Sequence, residues 1–224
     1  MLGRRRVSGR AAAIAALRRR RGEDIARPNS TLSTYGHTLP STKNDNELLC
    51  VFNNVNGYPR KVDHTKEWFL RHFITTYGVD IMGWAEVNLH WNKLTQKEQW
   101  DERTVGWWEH FRTSIAYNLE DEVSKATQRG GCLQIVRGKA AVSWVSSGKD
   151  PTGLGRWAWT RHKGKNNITL RVYTAYCTCI PHNSLGENTV HKQQQRYLHR
   201  EQDARAPRQA FLEDLTNDIT MLFS

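Results

Sequence analysis

The chain has 224 residues, with 33 Lys and Arg against 22 Asp and Glu, which gives a formal net charge of +11. Hydrophobic residues make up 38% of the sequence, enough for a packed core, so a wholly disordered chain is not expected. No apolar run approaches the roughly 20 residues that a membrane-spanning helix needs, which excludes an integral membrane protein. The four Cys fit neither a disulfide scaffold nor a four-ligand zinc site. The N-terminal segment has no apolar signal core, so we expect an intracellular protein.

The positive charge is concentrated in an N-terminal arm, residues 1–28. The arm holds nine Arg against Glu23 and Asp24, a net charge of +7, which leaves +4 of the total +11 for residues 29–224. Such an arm is typical of segments that bind nucleic acid or direct nuclear import, because Arg displaces counterions from phosphate. It is also typical of a mitochondrial transit peptide, or of a disordered tail with no selected role. Residues 29–46 are rich in Ser, Thr, Asn and Pro and are expected to form a linker.

From residue 47 to 224 the pattern indicates a folded domain that mixes strands and helices. Leu48–Phe52 is an apolar run of strand length, and either Asp63 or Thr65 is expected to cap a helix that ends at Gly78. The remaining predicted elements are a strand at Val79–Ala85, helical segments around 95–126, strands at Cys132–Val136, Ala140–Ser146, Gly155–Arg161 and Ile168–Cys179, and helices at about Val190–Gln202 and Pro207–Thr220. This mixture predicts an α/β or α+β layered domain.

Four polar residues follow predicted strands and are candidates for chemistry. Glu86 comes directly after an apolar strand, a usual place for a metal-binding carboxylate, although a solvated strand-end Glu has the same pattern. Asn54 and Asn56 follow the first strand and offer amide oxygens to a cation or a phosphate, or serve only as turn residues. Tyr176, near the end of the last predicted strand, either donates to a phosphate or is a buried sheet residue.

Other common site motifs are absent from the sequence. Cys177 and Cys179 are too close for a zinc ribbon, which leaves a strained transient disulfide or two free thiols. The nine His show no metal-ligand spacing, and there is no phosphate-binding loop of the Walker type and no nucleophile elbow.

Taken in chain order, these features resemble the endonuclease/exonuclease/phosphatase superfamily, which includes DNase I and the apurinic endonucleases. Phe52–Gly57 is similar to the first motif of the family, and Gly83–Asn88 is similar to the second. Ile168–Pro181 resembles the strand that bears the family's tyrosine. Gly130–Trp157 resembles a branch of the family found in mobile-element-like genes of eukaryotes. The resemblance extends over residues 47–220.

The resemblance implies a fold, a cofactor and a set of roles. The fold is α+β, a four-layer α/β/β/α sandwich of the DNase I type. Glu86 is implied as the main metal ligand with Asn56 near the metal, and Mg²⁺ or Mn²⁺ is the implied cofactor. Asn54 falls at the family's catalytic Asn, and Tyr176 at the residue that contacts phosphate. The implied substrate is nucleic acid or another phosphate ester, with no membrane partner.

The sequence also departs from the family pattern. Family members continue with a Gly-Asp-Phe-Asn strand, a further Asp and a Ser-Asp-His ending, and none of these occurs in the 224 residues. We therefore expect a partial sandwich that lacks its C-terminal half, with phosphodiester hydrolysis inactive or weak in this chain. A partial sandwich is also expected to leave a sheet edge or face uncovered, which favours aggregation or pairing with another chain.

Two other functions are open at this stage. One is a non-catalytic nucleic-acid-binding remnant that uses the basic arm and exposed aromatic residues such as Trp157 and Trp159. The other is a structural fragment with no biochemical role.

Overall fold

The computed structural model of the chain describes residues 43–44, 46–61, 64–120, 125–179 and 188–221. The basic arm, most of the linker and Pro181 lie outside these residues, so the predictions made for them stay predictions. The described residues belong to a compact unit that spans Pro40–Ser224. None of the described helices is long and apolar enough to cross a membrane.

The first sheet has four strands, in the spatial order β1-β2-β4-β3. Their bounds are Cys50–Asn54 for β1, Ile81–Ala85 for β2, Phe111–Ala116 for β3 and Cys132–Arg137 for β4. β1 runs parallel to β2, and β4 runs antiparallel to both of its neighbours. All five residues of β2 are buried, because this strand lies inside the sheet and is covered on both faces.

The second sheet is an antiparallel meander of three strands, in the order β5-β6-β7. The strands are Trp144–Lys149, Trp157–Lys163 and Thr169–Ala175. The described helices are α1 at Thr65–Thr76, α2 at Trp100–Arg103, α3 at Gly138–Val142, α4 at Val190–Arg200 and α5 at Pro207–Thr220, with short 3₁₀ turns at Trp91–Lys93, Gln96–Glu98 and Lys165–Asn167. The prediction of a mixed α+β fold is therefore confirmed at this level.

The main hydrophobic core lies between one face of the first sheet and α1 with the Trp-rich segment that follows β2. Trp84 of β2 and Trp100 of α2 are almost completely buried, and both pack against Tyr58. The guanidinium of Arg103 lies 4.8 Å from the centre of the Tyr58 ring and forms a 2.8 Å ion pair with the buried Glu67 carboxylate. Burying this charged pair is tolerable because the two groups satisfy each other and Tyr58 adds a hydrogen bond to Glu67.

The other face of the first sheet packs on the second sheet, and this interface consists largely of small and polar side chains. β7 lies over β2 and β4, and β5 lies over β3. Gly83 allows close approach, because a Cβ at this position would lie 2.4 Å from Thr174 Oγ1. Hydrogen bonds also cross between the sheets, from Ser114 Oγ to the carbonyl of Gly148 and from Gln134 to the carbonyl of Val172.

Helix α5 covers the outer face of the second sheet at β6. Its Phe211 packs on Trp157 with 6.0 Å between ring centres, and Asp218 accepts a 3.0 Å hydrogen bond from the Trp157 indole. Trp157 is 0% exposed as a result, so the prediction that it is an exposed aromatic residue is wrong. Arg156 next to it bridges Asp150 and Asp214, which fixes the start of β6 against α5.

Several predicted elements differ from the structure for local physical reasons. Residues 95–126 were expected to be helical, but Phe111–Ala116 is a strand whose alternating side chains face the core and the second sheet. Within the predicted strand Ala140–Ser146, the first residues belong to α3, which buries Ala140 against the first sheet. His64 caps α1 instead of Thr65, because its ring nitrogen accepts the Lys66 N–H.

Candidate functional site

The candidate site is formed where β1 and β2 end side by side. The two strands are parallel, and Asn54 at the end of β1 pairs with Ala85 at the end of β2. Glu86 is the next residue after β2. The carboxyl ends of parallel neighbours meet at one rim of a sheet, so the predicted amide and carboxylate positions lie on the same rim. Rims of this kind are common ligand-binding positions in α/β sheets.

Tyr176 joins the same rim from the second sheet. It follows β7 directly, and its backbone N–H donates to the carbonyl of Arg156 over 2.8 Å. Its hydroxyl donates a hydrogen bond to Glu86 Oε1. Burial, together with the neighbouring Glu86 carboxylate, raises the pKa of Tyr176 well above its ordinary value. The hydroxyl therefore stays protonated, and it can act as a donor at any ordinary pH.

Glu86 has a backbone conformation that ordinary residues rarely adopt. Its φ angle is +52°, in the left-handed region, where a residue with a Cβ is strained. The conformation is held from both sides, because Gly57 N–H donates to the Glu86 carbonyl over 2.6 Å and Val87 N–H donates to the carbonyl of Gly131. Strain that the surrounding structure holds in place is often found at functional sites.

The loop after β1 carries the two predicted asparagines and is tied down by a lysine. The Asn54 side-chain oxygen accepts the Asn56 N–H over 2.9 Å, so these residues form an Asx turn. Lys66, in the first turn of α1, donates to the carbonyls of Val55, Asn56 and Gly57. Burial lowers the pKa of this lysine from its ordinary value. Asn54 and Asn56 thus act as turn residues, and their predicted roles toward a phosphate and a metal remain predictions.

Residues outside the predicted set also hold the rim in place. Asn88, with φ of +59°, accepts the Gly130 N–H at 2.7 Å through its side chain and donates its own N–H to the Gly130 carbonyl. Asn118 donates to Gln193 of α4 over 3.1 Å. The Gly130-Gly131 pair, at φ angles of +95° and +82°, was the one sequence signal for this junction. The asparagines themselves had no distinguishing sequence pattern.

The donor atoms at the rim can supply part of the coordination shell of Mg²⁺ or Mn²⁺. Mg²⁺ is commonly held by one or two carboxylates together with waters and substrate phosphate. Glu86 supplies one carboxylate, and within the described residues the hydrogen bond from Tyr176 engages only one of its two oxygens. No group of three or more His, Cys, Asp or Glu side chains in the described part of the chain is placed to hold a metal. The rim therefore suits an ion that Glu86 anchors and water and phosphate complete.

The cysteines beside Tyr176 are not joined. Cys177 is half-buried, Cys179 is exposed, and both are free thiols, as are Cys50 and Cys132. Of the two alternatives for the Cys177–Cys179 pair, the structure has the free thiols.

Neither a scan of the sequence against protein-family models nor a search among curated proteins finds a match. A functional proposal for this chain therefore depends on the residues and the geometry of the rim.

Proposed function

We propose that this chain is a metal-dependent phosphodiester-hydrolysing domain of the endonuclease/exonuclease/phosphatase type. Its substrate is nucleic acid, and its activity as this chain is weak or absent. The observation that carries the proposal is the hydrogen bond from Tyr176 to Glu86, whose positions are 90 residues apart in sequence. It brings together a tyrosine and a glutamate from two separate segments that resemble motifs of that family. The basic arm, with nine Arg, would then serve binding to nucleic acid in the nucleus or mitochondrion.

The order of the layers supports the finer proposal of a DNase I-like sandwich. Helix α1 packs on the first sheet, the first sheet packs on the second, and α5 packs on the outer face of β6. A helix-sheet-sheet-helix order is what a four-layer α/β/β/α sandwich requires. The described part would form its N-terminal portion.

Each rim residue has a defined task in this proposal. Glu86 anchors a divalent cation, and Tyr176 holds the Glu86 carboxylate in place by donating its single hydroxyl proton to it. A contact of Tyr176 with phosphate would require that proton to turn from Glu86 to the substrate. Asn54 and Asn56 present amide groups on a loop that Lys66 keeps rigid. When bound, the metal polarises a phosphoryl oxygen of the substrate.

Weak activity follows from what the 224 residues do not contain. The family motifs that orient the attacking water and act on the leaving group, Gly-Asp-Phe-Asn and Ser-Asp-His, are absent from the sequence. Removing members of a catalytic unit commonly lowers the rate by several orders of magnitude, and the effects are not additive. We therefore expect a cation that is held by Glu86 alone to bind without efficient hydrolysis of the substrate.

The test is metal binding by the purified full chain, measured by electron paramagnetic resonance of Mn²⁺. We expect weak binding that Glu86→Ala reduces at least about tenfold, because the carboxylate that anchors the ion is lost. The matched control is Glu109→Ala, which removes an 89%-exposed glutamate just before β3, at the opposite edge of the sheet, and should leave Mn²⁺ binding unchanged. Equal binding by wild type and Glu86→Ala would reject the site. Rapid plasmid cleavage that depends on Mg²⁺ and on Glu86 would instead reject only the expectation of weak activity.

A second candidate function, nucleic-acid binding without catalysis, is favoured by one surface. On the outer face of the second sheet, Arg171 lies 3.8 Å from the centre of the Trp159 ring and 6.0 Å from that of Tyr173. Stacked aromatic and cationic side chains are typical of single-strand binding surfaces. Salt-dependent binding of an oligonucleotide that survives chelator and Glu86→Ala but is weakened by Trp159→Ala would support this function over the enzyme.

A further inference from the structure

The hairpin formed by β6 and β7 is strongly basic. Residues 157–175, which include both strands and the turn between them, contain four Lys and Arg and no Asp or Glu. Their net charge of +4 equals that of the whole of residues 29–224, so the rest of that part of the chain is neutral overall. Outside the basic arm, the excess positive charge is therefore concentrated in this one hairpin.

The outer face of the hairpin carries a pair of arginines beside a pair of aromatic side chains. Side chains alternate between the two faces of a strand, and Trp157 lies on the outer face under α5. Trp159 and Arg161 follow it on β6 at every second position, so they lie on the same face. In the register with β7, Trp159 is paired with Tyr173. Arg161 is paired with Arg171 in the same way.

The two arginines have no acid to balance them. Side chains that are directly opposed in an antiparallel pair have Cβ atoms about 4.5–5.5 Å apart, and like charges there are destabilising. Neither Arg161 nor Arg171 forms an ion pair with an acid of the described residues, and the buried Nε of Arg161 has no hydrogen-bond partner among them. A buried donor without a partner is costly and often marks the place of an ion or a water. The arginine pair therefore favours a bound anion.

The guanidinium of Arg171 is held in place before any ligand arrives. It lies 3.8 Å from the centre of the Trp159 ring, and its Nη1 donates to the Tyr173 hydroxyl over 3.1 Å. The Trp159 ring lies over Gly148 of β5, where a Cβ would come within 2.4 Å of it. A planar guanidinium that is fixed in this way loses little freedom on binding, which favours affinity.

Helix α5 covers a different part of this face. Its Asp218 accepts the Trp157 indole N–H and forms an ion pair with neither arginine. Further along β6, Lys163 is exposed. A packed layer could not cover the two arginines without supplying acids, because burying unpaired charges is strongly unfavourable. The region around Arg161 and Arg171 thus suits a charged ligand better than a packed layer of side chains.

We propose that Arg161 and Arg171 form a phosphate-binding arginine clamp that holds single-stranded nucleic acid on the outer face of the second sheet. Guanidinium groups bind phosphate oxygens through two parallel hydrogen bonds. Lys163 extends the row of cations about 6.6 Å along β6, which suits a polyanion better than a single ion. The neighbouring pair of Trp159 and Tyr173 offers aromatic surface to bases, and the bases of a single strand are free to stack.

The arginine clamp is separate from the rim. Arg171 precedes Tyr176 by five positions, which corresponds to roughly 16 Å along an extended strand. The clamp is on the outer face, whereas Tyr176 bonds to Glu86 of the first sheet. The proposal rests on the second candidate function, nucleic-acid binding, and adds the phosphate site and the single-strand preference. It needs no metal and no residue of the rim, so the two sites can be tested apart.

The first experiment measures binding of a fluorescent single-stranded oligothymidylate by the full chain, at several salt concentrations with chelator present. We expect Arg161→Gln and Arg171→Gln each to weaken binding about tenfold, because each removes a charge-assisted hydrogen bond to phosphate. Each should also reduce the slope of log K against log salt by about 0.7, the value for one phosphate contact of a single strand. The basic arm is intact in every variant, so the differences report on the clamp.

The matched control is Arg71→Gln. Arg71 also stacks on a tryptophan, 5.2 Å from the centre of the Trp107 ring, but it lies on α1. This variant loses the same charge and should leave affinity and slope unchanged. Arg161→Gln should unfold at an equal or higher urea concentration than wild type, because it relieves the repulsion from Arg171. Unchanged binding by the double variant of Arg161 and Arg171 would reject the clamp and leave binding to the basic arm. Absence of binding by wild type would reject the nucleic-acid-binding function as well.

The second experiment locates the bound strand by photo-cross-linking to an oligonucleotide that contains 5-iodouracil, followed by mass spectrometry of the peptides. We expect cross-links at Trp159 or Tyr173 that are lost in the double variant of Arg161 and Arg171. A duplex of the same sequence should cross-link far less, because its bases are already stacked. Cross-links confined to the basic arm would overturn the proposed location. Equal cross-linking by the duplex would overturn the preference for a single strand.

Discussion

Glu86 and Tyr176 show how the meaning of a residue depends on what the fold places next to it. Alone, each had an ordinary structural interpretation: a solvated carboxylate at a strand end and a phenol buried in a sheet. The hydrogen bond between them, together with the left-handed backbone of Glu86, turns the two into one polar centre. The protonated tyrosine can orient the carboxylate because burial and that carboxylate both raise the pKa of its hydroxyl.

The buried His162 leads to a prediction about how the stability of the protein depends on pH. His162 is 4% exposed, contacts the Ala140 carbonyl at 3.0 Å and the Thr160 hydroxyl at 2.8 Å, and has a pKa lowered chiefly by burial. The neutral ring is therefore favoured by folding, and its contribution to stability is complete above the unfolded-state pKa of about 6.5. That contribution is lost as the pH falls through the folded-state pKa. We expect the urea midpoint to decrease from about pH 7.5 to about pH 5.5.

The control for this expectation compares two histidines. His162→Gln should flatten the decrease of the urea midpoint with acid, whatever its effect at neutral pH. His110→Gln changes a histidine whose side chain is 61% exposed and should leave the slope unaltered. If the urea midpoint of His162→Gln falls with acid as steeply as that of the wild type, His162 is not the cause of the decrease.

Among the elements, the turn between β5 and β6 illustrates a local structure that depends on a distant neighbour. Gly155 has φ of +70°, and a Cβ there would lie 2.3 Å from the backbone carbon of Tyr117. Gly106 has φ of +73° but nothing within 4 Å of a Cβ. Both glycines therefore have the left-handed backbone conformation, but only Gly155 has other atoms close to the position of a Cβ.

This difference predicts two distinct costs for replacing glycine by alanine. Gly106→Ala should lower the free energy of unfolding by about 1–2 kcal/mol, because only the left-handed conformation is penalised. Gly155→Ala should lower it by roughly 3 kcal/mol or more, because the backbone of Tyr117 must also move. Urea unfolding of both variants measures the difference, and equal costs would show that this close approach does not constrain the turn.

At the scale of the whole molecule, the two sides of the first sheet are packed differently. The large apolar cluster that includes Trp84, Leu133 and Ile135 lies on the side of α1. Between the sheets the buried hydrophobic residues form two small clusters, Ala116, Cys132 and Ala158 in one and Ile81, Val136 and Ala140, which pack against Val172 of β7, in the other. Hydrophobic burial is the main stabilising force, so the second sheet should be the less stable part of the described structure.

Hydrogen exchange tests this difference directly. We expect amides of β2 and β4 to exchange only by global unfolding and amides of β6 and β7 to exchange faster, through opening of the second sheet. Mass spectrometry of peptides from these strands reports both classes in one experiment, with α1 as an internal reference. Uniform protection across all four strands would mean that the two sheets unfold as one unit.

The sequence by itself determined the elements whose pattern is local. Strands β1, β2 and β4 and helices α1, α4 and α5 were predicted within a few residues of their observed bounds, because apolar runs, turn residues and a proline at the first turn act on nearest neighbours. The same local signals placed Asn54, Asn56, Glu86 and Tyr176 at strand ends. The rule failed at Phe111–Ala116, where a six-residue alternation lies beside a Trp-rich run and the strand is defined by pairing with β4.

Only the tertiary structure decided which of these positions meet. The contact of Tyr176 with Glu86 and the burial of Trp157 under α5 both depend on segments far apart in the chain. A linear pattern records the preference of a residue for water or for the interior, whereas a contact depends on which surfaces are brought together. That is why the strand ends were predictable from the residues alone, while their meeting in one site was expected only through the family resemblance.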